Sequence, residues 1–155
     1  MEITKQQFEQ LVEENKDTIY TVCYMFSEND DEVADLFQET LINLWKGSPK
    51  IEWNNVKGWV YCVCLNTCIS QERKKRRHRH VQLTMDVSPF DNADGRMRQI
   101  GLLHERIGKL QPFDRAMVLL WLENMAYAEI GLILGISAKN VSVRLVRIKE
   151  MLKKM

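Results

Sequence analysis

Apolar residues recur at intervals of three to four positions along most of the chain, the period of amphipathic α-helices. The pattern predicts helices over residues 4–26, 33–46 and 56–80, a return to helix near Met97, and a helix from Pro112 to about Glu123, followed by two shorter helices. Polar breaks separate these segments, and the alternation typical of strands is missing. The sequence therefore predicts an all-α fold.

Residues 83–95 interrupt this pattern with Thr, Asp, Ser, Pro, Asn and Gly and show little periodicity. Such composition is typical of a linker. A chain of 155 residues is long enough for one domain or two small ones. We therefore expect two small helical domains, residues 1–82 and 104–155, joined by a flexible linker of residues 83–103.

Residues 127–149 have the pattern of a helix-turn-helix. Five apolar residues at helical spacing can pack two short helices on each other: Ile130, Leu134, Val141, Leu145 and Ile148. Gly135 lies at the turn, where positive φ is often needed, and Ser137 is a suitable N-cap. The second helix presents an outward face with side chains that bond bases and phosphates: Lys139, Asn140, Ser142, Arg144 and Arg147. The alternative is an ordinary αα-hairpin with a solvated polar face.

The net charge of +1 conceals a strong asymmetry. Residues 1–45 hold 2 basic and 11 acidic residues, whereas residues 46–82 hold 9 basic and 2 acidic, and residues 104–155 hold 9 and 5. Two separate basic segments favour two contacts with a polyanion. The acidic first third indicates a basic partner or a solvated face. Within it, Asp35 and Glu39 lie four residues apart beside an apolar stripe.

The third predicted helix joins aromatic residues to a run of cations over residues 73–79. Aromatic rings stack on exposed bases and cations hold phosphates, so this combination suits nucleic acid. The alternative for Trp53, Trp59 and Tyr61 is burial in the core, which is the usual place of large apolar side chains. For the basic run, phosphate contact is the favoured interpretation.

Catalytic and metal chemistry find little support in the sequence. Cys23, Cys62, Cys64 and Cys68 form no C-x-x-C pair, and we expect buried thiols that pack as small hydrophobes, with no metal and no cofactor; a redox or zinc role is the alternative that stays open. His78, His80 and His104 leave a nuclease as an open alternative, but no carboxylate pair or phosphate-binding glycine loop accompanies them. Because no arrangement of catalytic residues is evident, we expect that the protein is not an enzyme. No signal peptide or run of about 20 apolar residues occurs, so we expect a cytoplasmic protein that does not insert into a membrane.

Four segments in order resemble bacterial sigma factors of the extracytoplasmic-function type. Residues 35–45, DLFQETLINLW, resemble the region 2 docking segment, and Gly58-Trp59-Val60-Tyr61 with Asn66 and the basic run resemble the helix that follows it. Residues 110–113 and 126–137 resemble region 4. The resemblance covers nearly the whole chain, and it implies a dissociable subunit of RNA polymerase that directs promoter-specific initiation and melts the promoter.

The resemblance also implies roles for individual residues. Docking on the clamp helices of the polymerase β′ subunit would use Asp35, Gln38, Glu39, Ile42 and Asn43. Recognition and melting of the minus-ten element would use Trp53, Asn54, Asn55, Trp59, Asn66, Arg73, Lys74, Arg76 and Arg77. Reading of the minus-thirty-five element would use Ser137, Lys139, Asn140, Ser142, Val143, Arg144 and Arg147. Further implied partners are the polymerase β flap and an anti-sigma protein. The alternative function is a stand-alone helix-turn-helix regulator.

Several positions depart from the family pattern: Ser70 stands where an Asp is frequent in region 2, and Asn140, Ser142 and Val143 stand where Thr, Lys and Ser are frequent in region 4. Ala126 stands where a Ser or Thr cap is usual, and Gly131 stands where the family commonly has a mid-helix Ala. A helical glycine is expected to weaken its helix by roughly 0.5–1 kcal/mol.

Overall fold

The computed structural model describes residues 3–51, 53–77 and 95–155 of the chain. Its helices are α1 (Lys5–Met25), α2 (Asp30–Gly47), α3 (Val56–Arg77), α4 (Gly95–Gly108), α5 (Pro112–Leu122), α6 (Tyr127–Leu134) and α7 (Ala138–Lys153). Two 3₁₀ turns, Ser48–Lys50 and Trp53–Asn55, lie between α2 and α3. The described residues contain no strand, which confirms the all-α prediction.

The chain divides into two compact units, Met1–Lys74 and Lys75–Met155. Residues 83–94 of the predicted linker lie outside the described residues, and its residues 95–103 belong to α4. None of the described helices combines the length and the apolar character needed to cross a membrane.

Side-chain caps fix where the first two helices begin. Thr4 and Gln7 form a reciprocal capping box at the start of α1. The Asn29 side chain accepts the Glu32 N–H at 2.8 Å, so α2 begins at residue 30, three residues before the sequence-predicted start. The first turn of α2 is acidic, which favours the positive end of its helix dipole.

The core of the first unit is formed where α1, α2 and α3 meet. Its fully buried apolar residues include Ile19, Leu44, Val60, Tyr61 and Leu65. The four cysteines are all thiols; Cys23, Cys64 and Cys68 are buried, and Cys62 is half-buried. The burial of three cysteines agrees with the expectation from the sequence. Of Trp53, Trp59 and Tyr61, for which burial in the core is the alternative, Tyr61 is buried.

The second unit places a helix-turn-helix on α5, as the sequence predicts. Gly135 ends α6 with φ 77°, and the Ser137 hydroxyl caps α7 by accepting the Asn140 N–H at 3.1 Å. Ala126 precedes α6 without a side-chain cap. Val141, Leu145 and Ile148 are buried on one face of α7, whereas Leu134 is only partly buried.

Gly131 has a steric role that the helix-propensity argument missed. The N–H groups of Gly135 and Ile136 donate to its carbonyl oxygen at 2.7 and 2.9 Å, so the turn folds back over α6 at this residue. A Cβ atom at Gly131 would lie closer to the Ile136 carbonyl oxygen than real Cβ contacts do. The turn therefore requires glycine here.

Arg115 joins α5 to the end of α4 from within the core. Only 4% of this residue is exposed, and its guanidinium donates to the carbonyl oxygens of Gly108 at 2.8 Å and Leu110 at 3.2 Å. Carbonyl groups at a helix end lack intrahelical partners, so a buried arginine that caps them stabilises the approach of the two helices.

Candidate functional site

The acidic strip of α2 (Asp35, Gln38, Glu39, Ile42 and Asn43) faces away from the core of the first unit. Asp35, Gln38 and Ile42 are exposed, whereas Glu39 and Asn43 are half-buried. The opposite face of α2 supplies buried Val33, Leu36, Thr40 and Leu44. The strip therefore offers acidic and polar groups around one exposed apolar side chain, since Ile42 is 42% exposed.

Asn43 also has a partner within the unit. Its Nδ2 donates to the Thr67 hydroxyl at 2.9 Å, which links α2 to α3, and Thr67 in turn donates to the Val63 carbonyl at 2.8 Å. The side chain of Asn43 is therefore held in place by a structural hydrogen bond. This contact is not evident from the spacing of residues, because its two partners lie 24 positions apart in the chain.

Trp45 extends the apolar surface beside the acidic strip. Its side chain is 45% exposed, and its ring meets the Phe8 ring edge to face with centroids 5.0 Å apart. Trp45 is one of the recurring apolar residues of the helix that the sequence predicts over residues 33–46, whose apolar side is expected to pack on the core. Its exposure instead leaves an aromatic surface one turn beyond Ile42.

A 3₁₀ turn presents Trp53, Asn54 and Asn55 immediately before α3. All three residues are exposed, and Trp53 is 55% exposed, so the core interpretation is wrong for this tryptophan. The Asn55 side chain accepts the Gly58 N–H at 3.2 Å and so caps the start of α3. The turn thus combines a solvent-facing ring with a polar side chain that is fixed by the helix it precedes.

Helix α3 carries the other residues predicted to contact the minus-ten element. Trp59 is half-buried and lies beside Gly47, where its ring edge comes within 3.4 Å of the position of an added Cβ. Asn66, Arg73 and Lys74 are exposed. Arg76 and Arg77 occupy the last turn of α3. His78 and Arg79, which end the basic run, lie outside the described residues.

The N-terminal half of α7 exposes most of the residues predicted to read bases. Ser137, Lys139, Asn140, Val143 and Arg147 are exposed, and Ser142 and Arg144 are half-buried. The buried face of the helix lies opposite. This arrangement matches a recognition helix, whose first turns enter the major groove.

Two cation–π contacts fix α7 on α5. The Arg144 guanidinium lies 4.8 Å from the centroid of the Phe113 ring, and the Lys149 ammonium lies 4.4 Å from that of Trp121. Both aromatic residues belong to α5. The sequence pattern predicts that Arg144 contacts DNA but does not indicate Phe113, because the two residues are 31 positions apart and meet only in the folded unit.

Family comparison agrees with the two units. Residues 11–78 match the model of sigma-70 region 2, and residues 100–152 match that of sigma-70 region 4. The chain is 27% identical to the ECF RNA polymerase sigma factor SigE of Mycolicibacterium smegmatis over 154 residues, which cover 94% of this chain and 60% of that protein. It is 26% identical to the ECF RNA polymerase sigma factor SigW of Bacillus subtilis over 163 residues, covering 95% of this chain and 87% of that protein.

Solved structures show the same fold. CnrH, in complex with the cytosolic domain of CnrY, matches with a TM-score of 0.70 at 20% identity and covers 97% of this chain and 88% of its own. The sigma factor RpoE of Bartonella quintana, in complex with the anti-sigma factor NepR, matches with a TM-score of 0.75 at 19% identity and covers 96% of each chain.

Together, the helical units and the ordered region 2 and region 4 matches define the class: the chain belongs to the sigma-70 family of RNA polymerase sigma factors. Within that family it is of the extracytoplasmic-function type, as its relatives are.

Proposed function

We propose that this protein binds core RNA polymerase and directs promoter-specific transcription initiation, with residues 1–82 docking on the polymerase and opening the promoter and residues 104–155 reading upstream duplex DNA. The observation that carries the proposal is the presence of region 2 and region 4 in one chain, in that order. The alternative function, a stand-alone helix-turn-helix regulator, explains the second unit but does not explain why the first unit matches region 2.

Docking on the β′ clamp helices is assigned to the acidic strip of α2. Asp35 and Glu39 supply negative charge for a basic partner, and exposed Ile42 supplies an apolar contact that such a partner can bury. Interfaces commonly combine a buried apolar centre with a charged rim that sets orientation and association rate. Trp45 enlarges that apolar centre, since tryptophan is among the residues that most often dominate binding energy.

Recognition and melting of the minus-ten element are assigned to the 3₁₀ turn and α3. Catching an unpaired base requires a surface on which the base can stack, and the exposed Trp53 ring provides one. Asn54, Asn55 and Asn66 supply hydrogen-bonding groups nearby in the chain. Exposed Arg73 and Lys74, continued by Arg76 and Arg77, supply the cations that hold a displaced strand.

Recognition of the minus-thirty-five element is assigned to α7. Asn140 suits adenine and Arg144 suits guanine, because each side chain can form two hydrogen bonds with that base in the major groove. Exposed Val143 can contact a thymine methyl group, and Arg147, one turn beyond Arg144, can reach phosphate. Lys139, Ser137 and Ser142 complete this face.

An anti-sigma protein and the polymerase β flap are the further partners of this proposal. The structural relatives include two proteins solved with CnrY and with the anti-sigma factor NepR, which supports an inhibitor of that class. In the second unit, Leu132 and Val146 are 83% and 61% exposed and offer apolar surface to such a partner.

The test is binding of the full chain to purified core polymerase, measured by size-exclusion chromatography and by fluorescence anisotropy of labelled promoter DNA. We expect a one-to-one complex with core, and we expect tight binding to forked minus-ten DNA only when core is present. A chain that binds its DNA site equally well without core, and forms no complex with core, would be a stand-alone regulator.

A further inference from the structure

Three thiols converge in the core of the first unit. Cys23 comes from α1 and Cys64 and Cys68 come from α3, and each is at most 1% exposed. Their three sulfur atoms all lie within 4.8 Å of one another. The sequence favours packing thiols over a zinc site, because Cys23 is 41 positions from Cys64 and no C-x-x-C pair exists. Only the four-residue spacing of Cys64 and Cys68 indicates that two thiols share a helix face.

This cluster is more polar than a set of cysteines that simply fills space. The Thr40 hydroxyl of α2 lies 3.9 Å from the Cys23 sulfur and 4.0 Å from the Cys64 sulfur, and the Cys64 thiol lies 3.9 Å from the Ile19 carbonyl oxygen. The cluster therefore offers soft sulfur ligands and an oxygen within an apolar core.

The spacing suits a tetrahedral ion. A Zn–S bond of about 2.3 Å places two ligand sulfurs roughly 3.8 Å apart, so the thiols need to draw together by no more than about 1 Å. The Thr40 oxygen, close to two of the sulfurs, can occupy the fourth corner of the tetrahedron.

The net charge of the site decides which ion it suits, because buried net charge is costly. Three thiolates with a divalent ion give a site with one net negative charge, whereas three thiolates with a monovalent ion give a site with two. The charge balance favours Zn²⁺ over Cu⁺.

We propose that Cys23, Cys64 and Cys68 form a structural Zn²⁺ site, with the Thr40 hydroxyl as the fourth donor. The ion would join α1, α2 and α3, the three helices of the first unit, so its binding stabilises that unit. The proposal stands independently of the assigned polymerase and promoter contacts.

The test uses the full chain, reduced, stripped with a chelator and refolded with or without one equivalent of Zn²⁺. Elemental analysis after gel filtration should find one zinc per chain, and the thermal midpoint should rise with zinc. Refolding with Cd²⁺ should give a thiolate-to-metal charge-transfer band whose intensity corresponds to three thiolates. Failure to retain zinc, a two-thiolate band, or retention of Cu⁺ but not Zn²⁺ would overturn the proposal.

Single variants test which residues bind the ion. Cys64→Ala should lower zinc affinity more than Thr40→Val does, because it removes an anionic ligand whereas Thr40→Val removes a neutral one. Changes in the groups around metal ligands already cost about 10- to 100-fold, so each loss should reach at least that range. Cys62→Ala is the matched control, because Cys62 lies on the same helix outside the cluster and should leave zinc binding unchanged. Equal zinc affinity in the Cys64 and Cys62 variants would contradict the assignment. The wild-type Cd²⁺ spectrum decides the matter if Cys64→Ala does not fold.

Discussion

The Arg144 guanidinium lies over the Phe113 ring at 4.8 Å from its centroid, so a residue predicted to read DNA is held by an aromatic ring of the preceding α5 helix. A long, charged side chain loses much rotational freedom when it binds a base. Packing on the ring restricts that freedom before DNA arrives. If Arg144 reads DNA as proposed, Phe113 is a positioning residue for it and need not touch DNA itself.

Replacing Phe113 with Leu should weaken binding of the preferred minus-thirty-five sequence by about 0.5–1 kcal/mol, the usual strength of such a contact at an exposed site. The loss should fall on the base that Arg144 reads, with other base preferences unchanged. The measurement is the selection of DNA sequences from a randomised minus-thirty-five library by holoenzyme that carries each variant. Trp121→Leu is the control, because it removes the equivalent contact of Lys149 farther along α7. If the Phe113→Leu variant keeps the same preference as the unchanged protein for the base that Arg144 reads, the Phe113 ring does not position the arginine.

The recognition helix should divide its contacts between bases and phosphates. Asn140→Ala and Arg144→Ala should each relax preference at one position, at about 1–3 kcal/mol of discrimination per bidentate contact. Arg147→Ala should weaken binding to all sequences alike and reduce the salt dependence of affinity. The same library selection, repeated at two salt concentrations, separates these effects. Unchanged base preference in both the Asn140 and Arg144 variants would rule out this face as the reader.

Charge reversal in the acidic strip should weaken polymerase binding without unfolding the chain. Gln38→Lys with Glu39→Arg places positive charge against a basic partner, whereas surface changes usually alter stability by less than about 0.5 kcal/mol. The control is Gln10→Lys with Glu14→Arg, the same change in charge on exposed α1 residues. Core affinity is measured by fluorescence titration and helicity by circular dichroism. If the two double variants bind core equally well, the strip is not the docking surface.

Gly131→Ala should destabilise the second unit, although alanine is the better helix former. The new Cβ would meet the Ile136 carbonyl, a backbone atom that cannot move without opening the turn. Overpacking of this kind costs about 1–3 kcal/mol, more than the 0.5–1 kcal/mol that helix propensity returns. Thermal unfolding measures the difference. Gly108→Ala, where an added Cβ meets nothing within 4 Å, should be neutral or stabilising. An increase in stability for Gly131→Ala would mean that the turn adjusts freely.

The sequence predicts the elements of this fold well because their signals are local. Helical periodicity located the long helices, and Gly135 and Ser137 marked the turn and the cap of α7. The start of α2 was placed three residues late because Asn29 is one of several polar residues in a row and only its hydrogen bond to Glu32 identifies it as the cap.

The candidate site is less predictable wherever a contact joins distant parts of the chain. Neither the Asn43–Thr67 hydrogen bond nor the Phe113–Arg144 contact leaves a periodic trace in the sequence. The alternative of burial for Trp53 rests on the usual place of large aromatic side chains in the core, yet the 3₁₀ turn exposes its side chain to solvent. Such contacts depend on how helices pack, which spacing alone does not determine.

Run-off transcription with purified core polymerase on a promoter library shows whether this protein is a sigma factor. We expect the full chain to make core polymerase initiate at a defined subset of templates that share minus-ten and minus-thirty-five elements. Gln38→Lys with Glu39→Arg should abolish most of this transcription. Initiation no different from that of core polymerase alone would contradict the proposed function.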